Sequence, residues 1–318
     1  MIPNPNVKRE KEKEKIREGG GEKASKKRKT NLKNRHLNQE AIRRLRNYVP
    51  PPTAYEQVPL IRRAAVLLLL YADLTGNLRI VITMRAKTLS SYAGEAALPG
   101  GRADTLAETP FQTARREANE EIGLPEIDLP RPFSVEHLCE LPANLAKTEL
   151  VVRPCVALLH SYDSATGENA DPEVSLIPQL DAREVAEVFT APFHSFLDLR
   201  QEGRDEEWYR GSWSWWHSEN WRMHQFFVRT NAFKPRGDSE HATLQERGQG
   251  TRRVFGMTAR IIVDAARLAY AREPEFEHNS HLGDEEMIAK LRRMGRLSET
   301  RTPSDELTRE TMEKAKLS

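Results

Sequence analysis

"GGRADTLAETPFQTARREANEEIGL", residues 100–124, decides the fold, because it sets a glycine pair, a complete helix and four glutamates in one stretch. Thr109 is a good N-cap, Pro110 suits the first helical position, and Gln112 completes a Thr-x-x-Gln capping box. Gly123 marks the end. These signals predict a helix over 109–122 whose apolar stripe is Phe111, Ala114, Ala118 and Ile122. Glu117, Glu120 and Glu121 are then i, i+3 and i+4 neighbours on another face. Such like-charge neighbours cost about 0.2–0.5 kcal/mol each, and Glu120 and Glu121 also face the negative end of the helix dipole. Local stability would not choose this arrangement.

A hard divalent cation would, since Mg²⁺ pairs a few carboxylates with substrate phosphates rather than with a closed protein cage. The preceding Leu98-Pro99-Gly100-Gly101 lets backbone approach a ligand closely, and Arg116 is placed to pair with a carboxylate and hold the loop against the helix. Strand, glycine loop and helix outline a phosphate and metal site. The plainer alternative is a solvated acidic helix face with Arg116 as its counter-charge.

Around this centre, "AAVLLLLYA" (64–72) and "NLRIVITM" (77–84) read as strands about a turn at "DLTGN", the first apolar throughout as a central strand would be. Further strands are expected at 133–141, 150–159, 184–190 and near 222–228, and a helix over 257–270. Ile42, Leu45 and Tyr48 share a helical face ahead of a proline-rich linker. Strands interleaved with helices predict an α/β or α+β domain.

The net charge of +2 is unevenly spread: residues 1–46 carry 16 Lys/Arg against 6 Glu, a surplus of 10, so the remainder carries −8. Residues 1–37 read as a disordered basic tail without apolar periodicity, 38–272 as the folded domain, and 273–318 as a charged tail, helical or flexible, with an amphipathic stretch at 284–297. The "KKRK" run fits a nuclear signal or a weak nucleic-acid contact, although a lone basic run is more often a solvated tail. The longest apolar run is far below the ~20 residues that span a bilayer, so no membrane association is expected. Cys139 and Cys155 read as core thiols, with no disulfide framework and no Cys/His metal site.

The spacing of Glu108, Arg116, Glu117, Ala118, Glu120, Glu121, Gly123 and Leu124 resembles the Nudix hydrolase signature. One element departs from it: Arg102 stands where the signature glycine falls, and Gly101 lies one residue further away. The enlarged "LPGGRAD" loop resembles that of the coenzyme A diphosphatase branch, the fungal peroxisomal members above all. The segments 81–101, 140–159, 184–198 and 221–227 also resemble that branch, with Ser90 where arginine is usual and Leu98 where phenylalanine is.

The resemblance implies a Nudix α/β/α sandwich with a mixed β-sheet and hydrolysis of the diphosphate of CoA or its derivatives to 3′,5′-ADP and 4′-phosphopantetheine products. It implies Glu117, Glu120 and Glu121 as ligands of Mg²⁺ or Mn²⁺, with Glu120 a further ligand or the base, and Arg116 as their orienting partner. Arg85, Gly100, Gly101 and Arg102 would contact substrate, and a later acid, Glu184 or Glu187, is a candidate base or ligand. The alternatives are a broader diphosphatase acting on nucleoside diphosphate-linked compounds or 8-oxo-dGTP, and a non-catalytic nucleotide- or RNA-binding domain. All five tryptophans fall in 208–221, where hairpin and core packing is weighed against a ligand pocket. The expected compartment is the cytoplasm, with peroxisome and nucleus as alternatives.

Overall fold

The computed structural model describes residues 35–176, 180–201, 205–216, 219–231 and 249–300, and residues 308, 310 and 314. The KKRK run, almost all of the basic segment and nearly everything after 300 lie outside the described residues.

β1 (Arg63–Ala72) is the apolar run, and both of its faces are covered. Leu68 and Leu70 enter one buried cluster, while Ala65, Leu67, Leu69 and Tyr71 enter another on the opposite face. Its hairpin partner β2 (Leu78–Arg85) pairs antiparallel with it only at Leu70–Ala72. Asp73 closes the turn, its Oδ1 accepting from the Thr75 and Asn77 amides at 2.9 and 3.0 Å. The other half of that β1 edge belongs to β4 (Gly100–Arg102), with Ala64 opposite Arg102, Ala65 opposite Gly101 and Val66 opposite Gly100. β2 turns instead to β3 (Ala96–Ala97) and β8 (Val185–Pro192). On the far edge β1 runs parallel to β7 (Val151–His160), which is flanked by β5 (Ser134–Glu140) and β6 (Asn144–Leu145). The sheet is therefore mixed.

Two helical layers cover it. α1 spans residues 35–46, with Ala41 and Leu45 fully buried. α2 (Pro110–Ile122) lays Ala114, Ala118 and Ile122 on one sheet face, and Thr109 and Gln112 form the full capping box. After the short α3 (Pro172–Ser175), α4 (Gly256–Tyr270) packs with α1 in the cluster on the other face. The α/β/α sandwich follows from β1 and β7 being apolar on both sides, since each face then needs a helical cover.

A second sheet, β9 (Tyr209–Trp216), β10 (Glu219–Asn231) and β11 (Gln249–Phe255), is antiparallel throughout and extends well beyond the strand expected near 222–228. The tryptophan segment contributes β9 and the start of β10. Trp208 is buried against Phe196 and Phe226 and donates to the Ser195 carbonyl at 2.9 Å. Trp213 lies at the surface with the Arg222 guanidinium over its ring.

Packing does not stop at residue 272. α5 (Glu285–Arg293) buries Ile288 and Leu291, and Leu297 follows them into a cluster with Tyr55, Val58, Leu145 and Val151. Asp284 accepts from the Leu145 amide at 2.9 Å, and Glu285 accepts from the Ala143 and Ala54 amides at 2.8 and 3.0 Å. The stretch read as a charged tail continues the domain's core as far as Leu297.

Candidate metal and phosphate site

The four elements that meet at the end of the sheet are β4, α2, the end of β2 and the turn before β8. Gly100 and Gly101 are glycines for different reasons. At Gly100, φ is +152° and a Cβ would stand 2.3 Å from the Ala65 carbonyl oxygen, so the β1–β4 pairing excludes any side chain. At Gly101 the obstacle is the Glu117 carboxylate, whose atoms would lie 2.4–2.5 Å from a Cβ. The loop thus forms a cradle into which α2 presses its carboxylates.

The three glutamates of α2 are not equivalent. The Glu121 residue is 4% exposed, and its Oε2 accepts the Gly100 amide at 3.1 Å. The Glu117 side chain is 15% exposed, whereas that of Glu120 is 56% exposed and meets Arg116 at 3.3 Å. The structure therefore brings Glu117 and Glu121 together and leaves Glu120 at the rim. Burial pushes the Glu121 pKa up to about 8: the Gly100 amide and Arg85 oppose the shift, while Glu117 and Glu184 add to it. Burial also raises Glu117, against the pull of Arg116 and with the help of Glu120 and Glu184.

Arg116 holds the loop against the helix as its sequence position suggests. It donates to Glu108 Oε1 at 2.9 Å, to the Arg102 carbonyl at 2.8 Å and to Glu117 Oε1 at 3.2 Å. Burial works against its charge, but Glu108 and Glu117 more than offset this and raise its pKa. Glu108 is also desolvated, yet Arg116, the Asp104 amide and the Thr113 hydroxyl hold its carboxyl below the usual range.

Arg85 ends β2 with a buried Nε that has no hydrogen-bond partner among the described residues, and its charge acts on Glu121. The Arg102 side chain is exposed, and its carbonyl accepts from Arg116.

Of the two later acids, Glu187 is claimed by Arg252 through a two-pronged pair at 2.6 and 2.9 Å. Glu184 is the one whose charge is felt at Glu117 and Glu121. Its turn is fixed by the Asp181 amide donating to the Glu121 carbonyl at 3.3 Å and the Ala86 amide donating to the Glu184 carbonyl at 2.7 Å. No local signal separates Glu184 from Glu187, because the distinction rests on β11 supplying Arg252.

The donor set fits a hard divalent cation. Two desolvated carboxylates face a third acid, burial with a smaller part from their repulsion raises both pKa values, and the adjacent Arg116 guanidinium is shared among Glu108, a carbonyl and Glu117. Glu117 and Glu121 would hold the ion, with Glu120 at its rim.

A glutamate-bearing helix clamped to a glycine loop on a mixed sheet is the arrangement of a Nudix domain, and the NUDIX domain family matches residues 61–211. This part of the chain is a NUDIX domain. Among particular relatives, "Nudix hydrolase 15, mitochondrial" of Arabidopsis thaliana is 32% identical over 216 residues, covering 68% of this chain and 61% of that protein. "Peroxisomal coenzyme A diphosphatase 1, peroxisomal" of Saccharomyces cerevisiae is 37% identical over 126 residues, covering 38% of this chain and 37% of that one. The matched region spans less than two thirds of either relative. A solved NUDIX hydrolase from Alicyclobacillus acidocaldarius is 18% identical with a TM-score of 0.30, over 43% of this chain and 81% of that one. No described helix is long and apolar enough to cross a membrane.

Proposed function

We propose that the protein hydrolyses the diphosphate bridge of coenzyme A and its derivatives, giving 3′,5′-ADP and 4′-phosphopantetheine products with Mg²⁺ or Mn²⁺. The observation that carries the hydrolase reading is the desolvated Glu117–Glu121 pair pressed against Gly100 and Gly101. The choice of CoA within that reading is supported by the similarity to the yeast peroxisomal diphosphatase and by the LPGGRAD loop.

When bound, the cation neutralises diphosphate charge and lowers the pKa of coordinated water. Glu117 and Glu121 would hold it, and Arg116 keeps Glu117 aimed by holding Glu108 and the Arg102 carbonyl at once. Glu184 or Glu120 accepts the proton that water loses as its oxygen adds to one phosphorus, and the bridging oxygen leaves with the other. Arg85, whose charge already acts on Glu121, and the exposed Arg102 are the cations for the substrate phosphates.

The test is mass-resolved hydrolysis of CoA, acetyl-CoA, ADP-ribose and 8-oxo-dGTP with Mg²⁺ or Mn²⁺, beside Glu121→Gln. Metal-dependent 3′,5′-ADP and 4′-phosphopantetheine that vanish in the variant support the proposal. Cleavage of 8-oxo-dGTP alone retains the hydrolase and removes CoA; no cleavage of any of the four favours a nucleotide- or RNA-binding role.

A further inference from the structure

His137 and Cys155 are 18 residues apart with no motif joining them, yet they meet with Glu140 on one side of the sheet. His137 and Glu140 are three apart on β5, a spacing that in a regular strand sends side chains to opposite faces. The register shift between His137 and Cys139 cancels that alternation. His137 now pairs with Ala157 and Glu140 with Cys155, so all three donors face the α2 layer. One ligating atom from each lies within 4.8 Å of the others.

Each donor is available in its own way. The Cys155 thiol is fully buried and makes only a weak contact, at 3.9 Å, with the Arg153 carbonyl. The His137 ring stacks flat on Phe111, with centroids 4.0 Å apart and planes 6° from parallel, which fixes its orientation while its edge stays exposed. Glu140 gives Oε2 to Arg153 at 2.9 Å and keeps Oε1, and Arg153 is itself shared with Glu285 at 3.2 Å.

We propose that His137, Glu140 and Cys155 form a second metal site that takes Zn²⁺, separate from the all-carboxylate site of α2. Imidazole, carboxylate and thiolate together make a set suited to Zn²⁺ and unsuited to Mg²⁺, with a fourth position for water. Bonds of about 2.0–2.3 Å at tetrahedral angles set the donors about 3.5 Å apart, so the trio closes by about 1 Å through rotation of His137 and Glu140. Binding replaces the Cys155 S–H bond with a metal–sulfur bond and releases that proton to solvent. The stack on Phe111 puts the site beneath the first turn of α2, about 9 Å of helix rise before Glu117. There the ion would tie edge strand β5 to β7.

The experiment is titration of the full chain, stripped by chelator, with Co²⁺ followed by Zn²⁺, reading thiolate-to-metal charge transfer in the near ultraviolet. The expected result is a one-equivalent band that Zn²⁺ removes, present in wild type and in Glu121→Gln. It should be absent in Cys155→Ala and need roughly tenfold more Co²⁺ or worse in His137→Gln. No thiolate band, or a band that survives unchanged in His137→Gln, overturns the proposal. Because His137 is exposed and Cys155 is core, His137→Gln decides the matter alone should Cys155→Ala fail to fold.

Discussion

Replacing Gly101 with alanine separates the role of the glycine loop in folding from its role in the site. A Cβ at this position would lie 2.4 Å from the Glu117 carboxyl carbon and 2.5 Å from both of its oxygens, and no backbone atom is as near. Ordinary van der Waals contact begins near 3.4 Å, so the carboxylate must retreat by about 1 Å, a displacement that costs on the order of 100-fold when it falls on a group that positions a reaction. Gly101 does not have a positive φ, so the fold itself should lose only about 1–3 kcal/mol, the usual range for an added methyl group in a packed site. Gly100→Ala makes the contrast: its Cβ meets the Ala65 carbonyl at 2.3 Å and the Val66 Cα at 2.6 Å with φ at +152°, so it should break the β1–β4 pairing and destabilise the domain more than Gly101→Ala does. The assays are kcat/KM with metal in excess and urea unfolding of both variants. Gly101→Ala with wild-type kcat/KM, or with a stability loss as large as that of Gly100→Ala, would refute the assignment of Gly101 to the seating of Glu117.

The raised pKa of Glu121 gives a pH dependence with a definite sign. Its protonated form is favoured in the folded state, so without divalent cation its contribution is fully present below about 4.5 and is lost as pH rises through about 8; wild type should lose stability over that window in chelator, and Glu121→Gln should flatten the slope. Excess Mg²⁺ should restore wild-type stability at pH 8 and leave Glu121→Gln nearly unmoved, as read by thermal unfolding. Thr109→Ala removes half of the capping box that starts α2 and should cost about 1 kcal/mol in urea unfolding, with the metal requirement unchanged. Glu184→Gln should lower kcat more than Glu187→Gln, since Glu187 is bound up with Arg252; equal losses would remove Glu184 from the site.

Much of this molecule is legible locally. Thr109, Pro110, Gln112 and Gly123 delimit α2 because caps and αL glycines act within a few residues, and the structure has all four in those roles. The unbroken apolar run of β1 announces burial on both faces, which by itself requires a layer on each side. The glutamate cluster points to a cation because its charges are adjacent along the chain. Tertiary structure decided what depends on partners far apart in sequence. Glu121 and Glu120 are neighbours with the same charge, yet only Glu121 turns under Gly100, since the pairing of β4 with β1 sets where the loop stands. Glu184 and Glu187 are separated by whether Arg252, on a strand with no marked local signal, arrives beside them. β3, β4 and β6 are two or three residues long, too short for any periodicity, and exist because longer strands offer them an edge. His137, Glu140 and Cys155 meet only through a register shift, and α5 joins the core where Ala143 and Leu145 present amides to Glu285 and Asp284 respectively and Tyr55 and Val151 meet Ile288 and Leu291. Capping, apolar patterning and charge are properties of the chain within a few residues; register and burial belong to pairs of segments, and only the folded molecule brings those together.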